Sequence, residues 1–178
     1  MNILVIKSSP HKNGSSNLLA DEFVRGAEEA GNSVAVFDAA RANIHPCLAC
    51  ESCGMSGPCA QKDDMAQLAK SILQSDIVVL VTPLYYFGMS AQLKTVIDRC
   101  YSINGNLHAK DLKTALIAAA WDTNDVKMRP LVEHYQMICR YLGFKDMGMI
   151  LGLGCGTPSM TKRTVYPQKA YELGKSIK

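Results

Sequence analysis

The sequence predicts an α/β fold: a five-stranded parallel sheet in the order 2-1-3-4-5, with helices on both faces. Three observations carry this. Short apolar runs, most of them rich in Val and Ile, stand at residues 3–6, 34–37, 77–81, 116–120 and 147–151, and such runs suit strands buried on both faces. Segments of helical spacing lie between them, and strict β-α alternation requires crossovers in a parallel sheet. The chain has 178 residues, 48% hydrophobic and 20% charged, which suits one domain spanning 1–178 with its own core.

The elements follow in order. The first strand runs into a turn crowded with Ser and Asn, and the helix after it spaces Leu19, Phe23 and Ala27 four apart before Gly31 stops it. Beyond the second strand the periodicity breaks. Residues 43–62 offer Cys, Gly and Pro instead of a stripe, an insert long enough to carry function. Asp64-Met65-Ala66-Gln67 reads as a capping box opening a helix with Leu68 and Ile72. After the third strand, Ser90 caps a helix whose stripe is Leu93, Val96, Ile97, Cys100 and Tyr101. Leu131, Tyr135, Ile138 and Leu142 form the next stripe, ended by Gly143, and a last helix runs from about 168 to 177.

Composition excludes several classes. A formal charge of +3 with scattered Lys and Arg is not the basic stripe of a nucleic-acid binder. No run approaches the roughly 20 apolar residues of a membrane helix. Met1 leads straight into a strand without a signal peptide's basic start, so a cytoplasmic protein is expected. Seven cysteines are many for a compartment that keeps thiols reduced.

In a sheet of this order, ligands sit beyond the carboxyl ends of the strands, at the switch between the first and third. The loop at 8–17 leaves the first strand with hydroxyls, amides and Gly14, and enters a helix N-terminus. Free N–H groups and the helix dipole make that an anion site, to which Ser9, Ser15 and Ser16 can add hydroxyl donors. The plainer alternative is a turn that only caps the helix. Neither a Walker pattern nor G-x-G-x-x-G follows the strand, which leaves a monophosphate, and FMN is the commonest one for this architecture. The loop at 82–90 carries Thr82, Pro83, Leu84, Tyr85, Tyr86, Phe87 and Gly88. Three successive aromatics suit the flat ring of a flavin, or else fold under the sheet as core. Trp121, the only tryptophan, follows the fourth strand and can cover one flavin face. Gly152-x-Gly154-x-Gly156 comes after the last strand and reads as a turn near the site.

Cys47-x2-Cys50-x2-Cys53-x5-Cys59 is the most specific short pattern. Four thiolates at this spacing can wrap a 4Fe–4S cluster; zinc, free thiols and a reversible disulfide stay open. Cys100, Cys139 and Cys155 stand singly in apolar settings and read as core. His45, His108 and His134 have no evident partner, and no nucleophile–base pair suggests hydrolysis.

These residues also carry a family resemblance. Ser9-Pro10-His11-Lys12-Asn13-Gly14-Ser15-Ser16 resembles the phosphate loop of the NADPH-dependent FMN reductases and multimeric flavodoxins, which reads G-S-P-R-K-N-G-N-T or close to it. His11 replaces the usual arginine and its permanent bidentate charge, so a weaker or pH-dependent hold on FMN is expected. The stretch from Pro83 to Lys94 resembles that family's flavin segment, S-P-V-Y-W/F-x-x-M/V-S-A-Q-L-K. The cysteine spacing, with Cys59-x3-Asp63-Asp64-Met65, resembles the iron–sulfur flavoprotein branch. The end of the chain, Leu173-Gly174-Lys175-x-Ile177, resembles the family's terminus.

The resemblance implies a flavodoxin-like fold and FMN held by Ser9, His11, Lys12, Asn13, Ser15, Ser16 and Asn17 at the phosphate. Residues 82–88 and Trp121 would hold the ring, with Cys47, Cys50, Cys53 and Cys59 as metal ligands. It implies electrons passing from NAD(P)H as co-substrate to a quinone, a free flavin or another acceptor, within a homodimer or homotetramer. Asp98 and Arg99 are expected to be structural, tying their helix to the loop or to a partner. Two other readings stay open: an electron carrier whose cluster accepts from a ferredoxin-like donor, and a redox or metal sensor.

Overall fold

A computed structural model describes residues 1–178. Its five strands are β1 (Asn2–Lys7), β2 (Ser33–Asp38), β3 (Ile77–Pro83), β4 (Lys113–Ala119) and β5 (Lys145–Gly152). They pair in parallel in the order β2-β1-β3-β4-β5. This is the flavodoxin-like arrangement, and every apolar run forms one strand of it. β3 lies mid-sheet and is buried from Ile77 to Thr82, whereas the edge strand β2 leaves Val36 half exposed.

Successive strand residues point to opposite faces, which is why the inner runs are apolar throughout. Ile3, Val5, Val79, Val81 and Ile117 pack on one side against Leu19, Phe23 and Ala27 of α1 (Ser15–Glu29) and Ala170 of α7 (Tyr166–Lys175). Leu4, Ile6, Val78, Leu80 and Leu116 face the other way. They meet α2 (Met65–Gln74), α3 (Ala91–Arg99) and α5 (Arg129–Leu142) through Leu68, Ile72, Leu93, Val96, Leu131 and Tyr135. The short α4 (Asn104–His108) and α6 (Pro158–Thr161) complete the set. Helices α1 and α7 touch backbone to backbone. A Cβ on Gly26 would stand 2.1 Å from the Tyr171 carbonyl oxygen, and one on Gly174 would stand 2.1 Å from that of Phe23.

Most helix ends are those expected. Ser90 Oγ accepts from the Leu93 amide at 3.3 Å, and Gly143 closes α5 in the left-handed region with φ +70. The capping box is not formed. Asp64 has helical backbone and its carboxylate accepts from the distant Asn43 amide at 2.7 Å, while the Met65 amide bonds Asp63 at 3.2 Å. The two aspartates thus pin the ends of the insert, which holds no helix or strand from 43 to 62. The stripe of α3 also ends early: Cys100 and Tyr101 lie on a 3-10 turn, with Tyr101 exposed. His45 and His108 are exposed, with His108 edge-on to Tyr141, whereas His134 is half-buried on α5. No helix is long and apolar enough to cross a membrane.

Candidate functional site

The site assembles where β1, β3, β4 and β5 end. Beyond β1, Ser8 and Ser90 clasp the first loop to the second. Ser8 Oγ donates to the Val81 carbonyl at 2.7 Å, and Ser90 Oγ donates to Ser8 Oγ at 2.8 Å. Thr82 Oγ1 accepts from the Ser90 amide at 2.9 Å and donates to the Pro83 carbonyl at 2.8 Å. All three side chains are buried, so the spacing between the loops is set by a closed network.

At the start of α1, Gly14 caps with extended backbone and no side-chain bond. Ser15 and Ser16 are buried, yet neither hydroxyl has a partner. Buried polar groups normally find one, and leaving one unpaired costs about 1–3 kcal/mol. These two hydroxyls sit at the N-terminus of a 15-residue helix, where free N–H groups and the dipole favour an anion. The pattern fits a phosphate. Asn17 braces the loop from behind, its Nδ2 donating to the carbonyls of His11 at 3.2 Å and Lys12 at 3.1 Å.

A cleft of about 460 Å³ opens over these groups, within the range of cofactor sites. Ser9, His11, Asn13, Gly14, Ser15 and Ser16 form its floor, Pro83, Leu84 and Tyr85 one wall, and Ala119, Trp121 and 155–158 the other. Trp121 is 70% exposed and lies against Gly156, where a Cβ would meet its ring at 2.4 Å. The Leu84 amide is held by the Ala119 carbonyl at 2.8 Å. Tyr85 and Gly88 then pair both ways across a tight turn, each bond 3.0 Å. Its central residues Tyr86 and Phe87 are left-handed, with φ +44 and +65. Such turns favour Asn-Gly, and bulky residues there cost roughly 1–2 kcal/mol each. The aromatics are not core: Tyr86 is wholly exposed and Phe87 half so.

The structure therefore sorts the residues expected at the cofactor. Ser9, His11, Asn13, Ser15, Ser16, Pro83, Leu84, Tyr85 and Trp121 line one cleft. Lys12, Asn17, Thr82, Tyr86, Phe87 and Gly88 do not. Lys12 is exposed, and Asn17 spends its Nδ2 on the loop carbonyls while its buried Oδ1 keeps no partner. Thr82 is consumed by loop bonds, and the turn carries 86–88 outward. Cys155 is buried in the core, as expected, and also borders the cleft. Sequence reasoning also missed Thr157 and Pro158; the glycine-spaced turn after the last strand was their only signal.

The cysteine insert forms a second feature. Cys47, Cys50, Cys53 and Cys59 all border one small pocket, shared with Arg99. No three His, Cys, Asp or Glu side chains converge on a metal-binding point. Arg99 is buried at the end of α3 and grips the Asp63 carboxylate with two bonds, 2.6 and 2.9 Å. Its Nη1 also donates to the His45 carbonyl at 2.7 Å, and Nη2 to Cys59 Sγ at 3.4 Å. The Arg99 bond holds the Asp63 carboxyl below the usual carboxylate range, and the same bond raises Arg99. The Ser52 hydroxyl lowers the Cys50 thiol, while burial pushes Cys100 up to about 12. Arg99 is structural, as expected, but ties its helix to the cysteine insert and not to the flavin loop; Asp98 pairs with Lys94 on the surface.

The chain is similar to known proteins throughout. An iron–sulfur flavoprotein of Archaeoglobus fulgidus is 35% identical over 99 residues, covering 56% of this chain and 45% of that protein. MJ1083 of Methanocaldococcus jannaschii, another iron–sulfur flavoprotein, is 32% identical over 99 residues, 56% of this chain and 51% of that protein. The chain thus spans about half the length of these curated relatives. YwqN of Bacillus subtilis, a proposed NAD(P)H-dependent FMN-containing oxidoreductase, is 28% identical across 86% of both chains. Among solved structures, an NAD(P)H:quinone oxidoreductase from Methanothermobacter marburgensis superposes with a TM-score of 0.77 at 20% identity. It covers 98% of this chain and 94% of its own, and it shares the fold. The family model for NADPH-dependent FMN reductase matches residues 1–150, which hold β1 to β4, both loops and the cysteine insert, so the chain belongs to that family.

Proposed function

We propose that this chain is an FMN-dependent oxidoreductase that moves electrons from NAD(P)H to a quinone, a flavin or another acceptor. The observation that carries this is the pair of unpartnered, buried Ser15 and Ser16 hydroxyls at the head of α1, opening into a cleft walled by Pro83–Tyr85 and Trp121. Ser9, Ser15, Ser16, His11 and Asn13 would hold the phosphate. Pro83, Leu84, Tyr85 and Trp121 would hold the ring, with 155–158 closing the far side. Bound FMN supplies the hydride- and electron-accepting chemistry; the residues bind it, orient it and keep water from one face. The match to YwqN over most of both chains supports the reading, as does an FMN complex of a Bacillus anthracis NADH-azoreductase with the same fold.

The protein would act as one domain in the cytoplasm, as a homodimer or homotetramer. A second copy against the exposed Tyr86-Phe87 turn would bury aromatic surface that a lone chain leaves in water.

A second reading is favoured by the insert: four cysteines around one pocket, facing a buried guanidinium. That donor set suits a 4Fe–4S cluster, and named iron–sulfur flavoproteins are among the relatives. The chain would then relay electrons from a ferredoxin-like donor. Protein purified under argon and mixed with NADPH separates the readings. Flavin bands that bleach rapidly support the reductase. Flavin that ignores NADPH but responds to a reduced ferredoxin supports the carrier, and a colourless protein that takes up no added FMN overturns both.

A further inference from the structure

The Arg99 guanidinium has five N–H donors, and its use of them is uneven. Asp63, His45 and Cys59 take those on Nη1 and Nη2, while Nε is buried with no partner. Arg99 is 1% exposed and borders the pocket that Cys47, Cys50, Cys53 and Cys59 surround. Asp63 does not border it, so the ion pair turns its positive end toward the sulfurs. A clamp that only fastened the insert would need the carboxylate alone. It would not need a contact to Cys59 Sγ.

We propose that Arg99 is a positioning residue for the redox group of the insert, holding Cys59 in place and setting the reduction potential of an iron–sulfur cluster bound there. This rests on the cluster reading given above. Hydrogen bonds to cluster sulfurs and nearby charge set such potentials. A fixed cation favours the state that carries one more negative charge, so Arg99 raises the potential. Cys59 Sγ accepts from Arg99 Nη2 in the structure, so this guanidinium already acts on one of the four sulfurs. The same helix fixes the other loop, because Ser90 caps its first turn and Arg99 ends its last. Over nine residues that helix is a rigid rod of roughly 13 Å.

The test compares wild type, Arg99→Lys and the double variant Arg99→Gln/Asp63→Asn, which removes both charges together so that neither is stranded. Each is reconstituted with iron and sulfide under argon and assayed for iron, sulfide and flavin. The cluster is then titrated with dithionite and followed by electron paramagnetic resonance, with circular dichroism to check folding. The expected result is that wild type binds about four irons per chain, that the double variant's potential moves to more negative values, and that Arg99→Lys falls between. A folded double variant with normal flavin but no iron also supports the proposal, since Cys59 has then lost its anchor. Full loading with an unchanged potential in both variants overturns the role of Arg99 and leaves the cluster standing. Wild type that takes up no iron overturns the cluster reading and this inference with it.

Discussion

Two hydroxyls carry most of the weight at the residue scale. Ser15 and Ser16 are buried without partners, so the empty fold gains nothing from their oxygens. Alanine is the better helix former there, and the double change to Ala should leave the melting temperature unchanged or higher. Hydrogen bonds to a charged phosphate are worth about 1.5–3 kcal/mol each, so the same change should weaken FMN binding at least roughly tenfold, read by equilibrium dialysis. His11 works in the opposite direction. His11→Arg restores a permanent bidentate donor at the cleft floor and should tighten FMN with a steeper salt dependence. Phe87 sits at φ +65, and Phe87→Gly should relieve about 1–2 kcal/mol of backbone cost, raising thermal stability. None of this direction is written in residue types. Tyr-Phe is a poor pair for such a turn, which is why the sequence suggested aromatic walls where the structure shows an outward tip.

At the scale of elements, the loops are joined by side chains that look ordinary in sequence. Ser90 was legible as a helix cap, but its bond to Ser8 spans 82 residues and has no local signal. Ser90→Ala should cost about 1–3 kcal/mol, cap and buried bond together, measured by urea unfolding. The same limit explains the misread capping box: Asp64 had a better partner in Asn43, 21 residues away. The insert hangs on Asp63 and Arg99, and removing one partner of so buried a pair typically costs about 3–5 kcal/mol. Asp63 also gives a pH dependence with a definite sign. Its folded carboxyl is held below the unfolded value of about 3.9. The stabilisation is therefore complete above that value and lost as pH falls through the lower, folded one. Acid should loosen the insert, seen as faster pepsin cleavage within residues 43–62, and Asp63→Asn should flatten the profile.

For the whole molecule, the sheet was the most legible part, because strands buried on both faces must be continuously apolar and so announce themselves. Its edge is legible for the same reason in reverse, with Val36 of β2 left half exposed. Packing between the outer helices was not legible. Gly26 and Gly174 allow α1 and α7 to touch, and Gly174→Ala should destabilise by at least about 1–3 kcal/mol through overpacking. The cleft's far wall was hidden likewise, since the turn at 155–158 has no hydrophobic period. The floor and near wall were suggested by hydroxyls at a helix head and a proline with aromatics beyond a central strand, but it took the family resemblance to prefer them over a plain helix cap and a core turn. That the whole arrangement holds FMN is the central claim, and the single tryptophan reports on it. Apoprotein titrated with FMN should lose Trp121 emission by energy transfer to the neighbouring ring, saturating at one FMN per chain, with Ser15→Ala/Ser16→Ala shifting the curve to higher FMN. An emission that FMN leaves unquenched, or a double variant that binds as tightly as wild type, would contradict the account.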